Sequence, residues 1–262
     1  MSEAAVHVKM EDRAGGARIA RVTVDNAAKL NCLSTTTIVT VAQTFARLGE
    51  DAQVRAVVFT GAGSKAFIGG ADLNELGAFC ADSARLFITR LHMACKAIRD
   101  CPVPVIGRIN GFCLGAGLEL AACCDMRAAA EGAQLGMPEV HMGIPSVIEA
   151  ALLPGLIGWG RTREMLLTGA MYSAAEALAM GFVEKVVPPG ELDAAIEPWI
   201  EGMLRATPDA VRSQKALMAR WERVSVEEGI VAGIDALSDA YKTGEPQAAI
   251  AAFFASKQPK RG

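Results

Sequence analysis

Two long apolar runs, each stopped at a turn, constrain the fold of this chain more than any other feature of its sequence. Val54–Thr60 (VRAVVFT) ends at the small-residue turn 61–63, and Val103–Ile109 ends at Asn110-Gly111. Continuous apolar runs of this length are typical of strands that are buried on both faces, as in a parallel sheet. Before the first run, apolar residues recur at helical spacing after Ser34, a predicted N-cap. The alternation of strands and helices predicts an α/β core.

The pattern changes after Pro188-Pro189-Gly190, where only helical periodicity follows. Apolar stripes at helical spacing run through residues 192–203 and 226–241. Amphipathic helices alone form a thin core, so we expect them to pack on the rest of the chain or on other copies of it. The sequence therefore predicts a core over residues 1–190 and a helical oligomerisation region over residues 191–262.

Composition and charge exclude several classes of protein. With 52% apolar residues, 21% charged residues and a net charge of −3, the chain is globular and lacks the basic surface of most nucleic-acid-binding proteins. Charged residues interrupt the amino end where a signal peptide would be apolar, and no run of 18 apolar residues occurs that could span a membrane. The seven cysteines include no CxxC pair, which favours reduced thiols. We expect a cytoplasmic protein with neither a membrane nor a nucleic-acid partner.

The segment Asn110–Asp125 (NGFCLGAGLELAACCD) combines a glycine-rich turn with a helix that is apolar on all sides. Glu119 is its only internal charged residue, and a buried carboxylate is costly unless it is paired or functional. The turn Gly115–Gly117 leaves backbone N–H groups open at the start of the helix, where a negative oxygen is favoured. The alternative is a tight helix–strand contact that needs small residues, with Glu119 bonded to a backbone amide.

A second small-residue turn lies in Lys65–Leu76 (KAFIGGADLNEL), after the first apolar run. Residues 69–71 leave backbone N–H groups open, and Asp72 is a predicted helix cap. On its own, the segment could be an ordinary capped turn. Two such turns, each following a buried strand, could direct two N–H groups at one oxygen and so form an oxyanion hole.

A second isolated carboxylate occurs in Gly132–Ser146 (GAQLGMPEVHMGIPS). Glu139 is its only acidic residue, follows Pro138 on extended or turning backbone, and has mainly apolar neighbours. A surface glutamate is the alternative reading. Two lone carboxylates in apolar settings indicate acid–base chemistry with at least one raised pKa.

In order and spacing, KAFIGGADL, NGFCLGAGLELAACCD and AQLGMPEVHMGIP resemble the three signatures of the crotonase (enoyl-CoA hydratase/isomerase) superfamily, most of all its hydratase branch. The resemblance covers nearly the whole chain. It implies a ββα spiral core with a C-terminal helical region that forms a trimer or a dimer of trimers. It also implies an acyl-CoA thioester substrate. Coenzyme A then belongs to the substrate, and neither a metal nor a redox cofactor is needed.

The same resemblance assigns roles to individual residues. It makes Glu119 and Glu139 the catalytic pair of a hydratase, in which two glutamates flank a water above the double bond. Glu119 is the expected base toward that water, and Glu139 is the expected acid toward the α-carbon. The N–H groups of Ala71 and Ala116 are the expected oxyanion hole. The product of this syn addition to a trans-2-enoyl-CoA is a 3-hydroxyacyl-CoA.

The resemblance further implies a set of acyl-CoA contacts. These are Lys65, Ala66, Gly69, Gly70, Asp72, Leu73, Leu114, Gly115, Pro138, Gly143 and Lys257. Lys257, together with Phe254, is expected to approach the coenzyme A of a neighbouring subunit.

One stretch departs from the hydratase pattern. Where relatives carry the glycine-rich run GAGGTQRL after Ile-Pro, this chain has bulkier residues at 146–153 (SVIEAALL) and a third acid, Glu149. Glu149 is either a third catalytic group or a carboxylate at a helix N-terminus. His141 could bond a carboxylate or the coenzyme A, or could simply line the pocket or the surface. In relatives this stretch lines the acyl end of the pocket, so the departure bears on the acyl-chain preference and on the reaction.

Several other functions compete with a hydratase. Within the superfamily they are a Δ3-Δ2-enoyl-CoA isomerase that uses one glutamate, and a CoA-ester lyase or hydrolase that uses Glu149. A dinucleotide-binding enzyme is disfavoured because residues 111–117 read GxxxGxG instead of GxGxxG. A serine hydrolase lacks its GxSxG motif. An RNA-binding relative is disfavoured by the acidic pI of about 5.7 and the absence of a basic cluster.

Overall fold

The structure is a computed structural model that describes residues 4–257, so the last five residues of the predicted helical region lie outside the described part. The strands are β1 (Ala5–Asp12), β2 (Arg18–Asp25), β3 (Val54–Gly61), β4 (Ala66–Ile68), β5 (Val105–Ile109), β6 (Phe112–Leu114), β7 (Met126–Ala130), β8 (Gln134–Gly136), β9 (Met171–Ser173) and β10 (Lys185–Val187). The helices are α1 (Thr35–Glu50), α2 (Leu73–Leu76), α3 (Ala81–Asp100), α4 (Ala116–Ala122), α5 (Leu153–Thr168), α6 (Ala174–Met180), α7 (Leu192–Arg205), α8 (Pro208–Trp221), α9 (Val226–Lys242) and α10 (Glu245–Lys257). Short 3₁₀ segments include Pro138–Met142 and Ile148–Leu152.

The described strands form two sheets. The larger has the order β1-β2-β3-β5-β7-β10, and only its β1–β2 pair is antiparallel. The smaller has the order β4-β6-β8-β9, and only its β8–β9 pair is antiparallel. Three times in succession, a strand of the larger sheet is followed along the chain by a strand of the smaller one and then by a helix. This repeat confirms the predicted α/β class with ββα units.

The central strand β3 is buried on both faces, as its sequence predicts. Val57 and Phe59 belong to the larger hydrophobic core, whereas Ala56 and Val58 belong to a second core on the opposite face. Helices α1 and α3 pack against each other on the first side, and the rings of Phe45 and Phe59 meet edge to face at 5.3 Å. Since both faces are covered, continuous apolar sequence is favoured over alternation.

The carboxyl-terminal helices attach to this sheet in two ways. Helix α7 covers the second face through three buried residues, Leu192, Ile196 and Ile200. Helix α8 is held by Lys215, whose buried ammonium donates to Asp125 at 2.6 Å and to the Val103 carbonyl at 3.0 Å. The predicted helices are therefore present, and the first two of them pack on the core.

The connections between the two sheets are what bring the functional segments together. At the β5–β6 connection, a Cβ on Gly111 would lie 2.2 Å from the Lys65 carbonyl oxygen, so only glycine fits this crossing. The neighbouring Asn110 side chain donates to the carbonyls of Gly61 and Ala66, both at 3.0 Å. These contacts fix the turns after β3 and β5 side by side.

No helix within residues 4–257 is long and apolar enough to cross a bilayer.

Candidate active site

Glu119 lies on α4, a helix whose seven residues are all buried. Glu119 is only 4% exposed, and its Oε1 accepts a hydrogen bond from the Ala150 N–H at 3.3 Å. The amide partner proposed as the structural alternative is thus present. One hydrogen bond satisfies only part of a carboxyl group that can accept several.

Glu139 lies on the 3₁₀ segment Pro138–Met142 and is half-buried. Its Oε2 accepts a hydrogen bond from the Ser146 hydroxyl at 3.0 Å. Its Oε1 lies against Gly115, since a Cβ on that glycine would come within 2.4 Å of it. The second predicted glutamate is therefore placed directly at the glycine-rich turn that starts the helix of Glu119.

The two carboxyl groups share an environment that disfavours charge. Burial raises the pKa of Glu119 to about 9; the Ala150 hydrogen bond opposes this, and the charges of Glu139 and Glu149 add to it. Burial likewise raises the pKa of Glu139, and the hydrogen bond from Ser146 opposes this rise. Both directions agree with the sequence-based expectation of at least one raised pKa.

The two small-residue turns lie next to each other. A Cβ on Gly70 would be 3.5 Å from the carbonyl oxygen of Leu114, so the turn after β4 contacts the turn after β6. Within residues 4–257, the N–H groups of Ala71 and Ala116 donate to no protein acceptor. Unpaired N–H groups on adjacent turns are able to bind a negative oxygen.

Gly117 has a different function from Gly115. A Cβ on Gly117 would lie 2.2 Å from the Ile68 carbonyl oxygen, so this glycine permits the close contact between α4 and β4. The tight helix–strand contact considered from the sequence therefore exists. It coexists with the functional arrangement at Gly115 and does not replace it.

Glu149 is buried as well, at 5% exposure, and its Oε1 lies 2.8 Å from Nδ1 of His92 on α3. Among the described residues its Oε2 has no hydrogen-bond partner. The residue before it, Ile148, has φ +40°, which is an outlier for a β-branched residue. Holding a residue in such a backbone conformation costs about 1–3 kcal/mol. Glu149 therefore does lie in the first turn of a helical segment, Ile148–Leu152, and it is also buried there and paired with α3.

The remaining sequence-predicted contacts are spread around these turns. Ala66 is buried in β4, and its carbonyl accepts hydrogen bonds from Asn31 and Asn110. Gly69 donates its N–H to the Leu30 carbonyl. Four further residues are exposed or half-buried near the turns and the 3₁₀ segment: Lys65, Leu73, Leu114 and Pro138. Their contacts with an acyl-CoA stay predictions.

Three predicted residues have structural partners of their own. Asp72 caps α2 by accepting the N–H of Asn74 at 2.9 Å, as the sequence predicts. Gly143 ends the 3₁₀ segment with φ +71°. Lys257 lies at the end of α10 with its ammonium 4.4 Å from the centre of the Phe253 ring. Its approach to the coenzyme A of a neighbouring subunit stays a prediction.

Within residues 4–257, His141 bonds no carboxylate. Its Nε2 lies 2.8 Å from the Thr168 carbonyl, and its ring packs on Gly169. Sequence reasoning missed three groups that do contact the acids: Ser146, the Ala150 N–H and His92. For Ser146 and Ala150 the available signal was their position in the stretch that departs from the glycine-rich pattern. Nothing near His92 in the sequence points to a partner 57 residues away.

The geometry defines a class of protein: an α/β protein with two carboxyl groups of raised pKa beside two turns whose backbone N–H groups are unpaired. Such a site can move protons next to a developing oxyanion. Residues 14–261 match the sequence pattern of the family described as enoyl-CoA hydratase/isomerase. The chain belongs to this family.

Individual relatives agree with this assignment. The chain is 30% identical over 242 residues to a short-chain-enoyl-CoA hydratase from Clostridium acetobutylicum, covering 92% of this chain and 93% of the relative. It is 31% identical over 221 residues to a peroxisomal Δ(3,5)-Δ(2,4)-dienoyl-CoA isomerase from Arabidopsis thaliana, covering 79% of each. The crystal structure of an enoyl-CoA hydratase from Bacillus anthracis superposes with a TM-score of 0.89 at 30% identity, covering 96% of this chain and 97% of that one.

We predict that Gly115→Ala disrupts the site. Gly115 has φ +50° and ψ −120°, and an added Cβ would collide with Glu139 Oε1 at 2.4 Å. We expect a loss of about 2–4 kcal/mol in the free energy of unfolding, measured by chemical denaturation at fixed protein concentration. The matched control is Gly132→Ala, where an added Cβ meets nothing within 4 Å and we expect a change within about 0.5 kcal/mol. Equal effects of the two changes would contradict the proposed contact.

Proposed function

We propose that this protein is an enoyl-CoA hydratase, a lyase that adds water across the double bond of a trans-2-enoyl-CoA. The observation that carries the proposal is the pair Glu119 and Glu139, each in an environment that raises its pKa and both next to the Gly115 turn. The hydratases among its relatives support the same reaction. One carboxyl group is enough for an isomerase, which moves a proton within the substrate, whereas the addition of water uses two.

In the proposed mechanism, Glu119 removes a proton from the attacking water and Glu139 delivers one to the α-carbon. The water oxygen bonds to the β-carbon on the same face, which gives a 3-hydroxyacyl-CoA. The N–H groups of Ala71 and Ala116 stabilise the thioester oxygen as it becomes enolate-like. A donor of this kind is commonly worth about 3 kcal/mol of barrier. The chemistry consists of two proton transfers and the formation of one C–O bond at the expense of the C=C π bond, and it needs neither a metal nor a redox cofactor.

Hydration and its reverse both require that the two glutamates share one proton. Hydration starts with Glu139 protonated and Glu119 ionised, and dehydration starts with the opposite arrangement. Burial raises the pKa of both glutamates, to about 9 for Glu119, which favours a pair that holds a proton near neutral pH.

A second candidate is an isomerase that shifts the position of a double bond in an enoyl-CoA. Two observations favour it: the dienoyl-CoA isomerase among the relatives, and a third buried acid, Glu149, next to the pair. An isomerase needs no water between its acids, so the substrates that are turned over distinguish the two functions.

We predict that Glu119→Gln and Glu139→Gln each lower kcat for crotonyl-CoA hydration by at least about a hundredfold, because an amide can neither accept nor donate the transferred proton. The measurement is the loss of the conjugated-thioester absorbance on addition of the protein. The matched control is Glu131→Gln, an exposed glutamate eight positions before Glu139, which should stay within about twofold of wild type. Near-normal rates in either site variant would refute the role assignment. Turnover of 3-enoyl esters without hydration of 2-enoyl esters would select the isomerase.

We also predict a bell-shaped dependence of kcat/KM on pH. At low pH both glutamates carry protons, and at high pH both are ionised, so the singly protonated pair is lost in either direction. Because the pKa of Glu119 is raised to about 9, activity should fall on the alkaline side near pH 9. The profile is measured with crotonyl-CoA, subtracting thioester hydrolysis without protein. An alkaline limb below pH 8 would contradict this assignment.

We further propose that the chain self-associates, as a trimer or a dimer of trimers, in the cytoplasm. The support is helix α9, whose apolar stripe includes Val226, Ile230, Ile234 and Leu237, each more than 60% exposed in the single chain. Covering such a stripe is favourable at roughly 25 cal/mol per Å². We expect light scattering to give a mass of three or six chains, and a monomer would refute the proposal.

A further inference from the structure

One short segment, residues 146–150, donates hydrogen bonds to both proposed catalytic acids. At its start, the Ser146 hydroxyl donates to Glu139 Oε2 at 3.0 Å. At its end, the Ala150 N–H donates to Glu119 Oε1 at 3.3 Å. The position of each carboxyl group therefore depends on the path of the backbone between these two residues.

That path is one an isoleucine does not adopt freely. Ile148, in the middle of the segment, has φ +40°, the left-handed region that favours glycine and disfavours β-branched residues. It directly follows Val147, which is extended with φ −133°. A strained residue persists only where surrounding contacts hold it in place. The segment must therefore be anchored by something other than its own conformational preference.

The anchor is the next residue. The carboxyl group of Glu149 turns inward and bonds Nδ1 of His92 at 2.8 Å, across to the 20-residue helix α3. Glu149 is 5% exposed, and its Oε2 has no partner within residues 4–257, so His92 supplies its one hydrogen bond there. A buried carboxyl group strongly favours keeping such a bond. The pair thus ties the strained segment to a long, packed helix.

We propose that Glu149 and His92 are positioning residues that hold the segment 146–150 in its strained path and thereby align Glu119 and Glu139. A glycine at position 148 would adopt the positive φ without strain, whereas Ile148 is kept there by the Glu149–His92 pair. Neither residue needs to exchange a proton with the substrate in this role. The inference rests on the proposed function for its kinetic readout, and on the fold alone for its readout from unfolding.

The test compares Glu149→Leu, Glu149→Gln and Ile148→Gly with the double variant Glu149→Leu/Ile148→Gly. Kinetics with crotonyl-CoA give kcat and KM, circular dichroism checks folding, and thermal unfolding gives the midpoint of each variant. His92→Leu is the partner change, and it keeps the test valid if Glu149→Leu fails to fold. The matched control is His7→Leu, which removes an exposed histidine 3.4 Å from Asp25 on the β1–β2 pair.

We expect Glu149→Leu and His92→Leu to lower kcat at least about tenfold, since small displacements of catalytic groups are costly. KM should change less than about threefold because the loss arises after binding. Glu149→Gln keeps an oxygen for His92 and should retain most of kcat. Adding Ile148→Gly to Glu149→Leu should restore kcat at least about fivefold, because glycine adopts the bent path without strain. His7→Leu should change neither constant.

The unfolding readout is independent of the reaction. Ile148→Gly relieves strain only where the segment is held in its bent path. The shift in the midpoint of thermal unfolding caused by Ile148→Gly should therefore be about 2–4 °C more favourable in wild type than in Glu149→Leu. Equal shifts in the two backgrounds would overturn the anchor, whatever the activity. Loss of activity in Glu149→Gln, together with no gain in kcat when Ile148→Gly is added to Glu149→Leu, would overturn it too, and would make Glu149 an acid–base group. If wild type fails to hydrate crotonyl-CoA, the proposed function fails, and the unfolding comparison still decides the inference.

Discussion

The burial of the Glu119 carboxyl group is the interaction on which the rest of the site depends. Helix α4 is buried at all seven positions, so the fold places this group in a medium that opposes its charge and raises its pKa to about 9. One backbone hydrogen bond, from Ala150, compensates in part. A carboxyl group that holds its proton near neutral pH can act as an acid or a base in a reversible reaction, which is the property a hydratase or an isomerase needs.

The architecture supplies the second acid and the N–H groups by bringing three chain crossings together. Small residues are required at the crossing after β5 and at the start of α4, because neighbouring backbones approach too closely there for a Cβ, as at Gly111 and Gly117. The same absence of side chains leaves Ala116 with an open N–H and gives Glu139 room against Gly115. Packing and chemistry therefore require small residues in the same turns, and a glycine-rich motif alone does not separate the two requirements.

Much of this could be read from the sequence. The run at β3 predicted a strand buried on both faces, and its alternate residues do belong to two different cores. Ser34 caps α1 by accepting the Thr37 N–H, as predicted from its position before an apolar stripe. The two lone glutamates stood out because charge is rare in apolar segments. These features are local: chain neighbours alone determine periodicity, caps and isolated charges.

The sequence by itself determined the α/β class, the family resemblance and the choice of Glu119 and Glu139 as candidate acids, since those follow from local pattern and motif spacing. Only the tertiary structure decided that Ser146 and Ala150 bond the acids, that Glu149 turns inward to His92, and that Ile148 adopts a left-handed backbone. The physical reason is distance along the chain. A hydrogen bond across 57 residues, or a strained angle held by that bond, depends on which segments the folded core brings together.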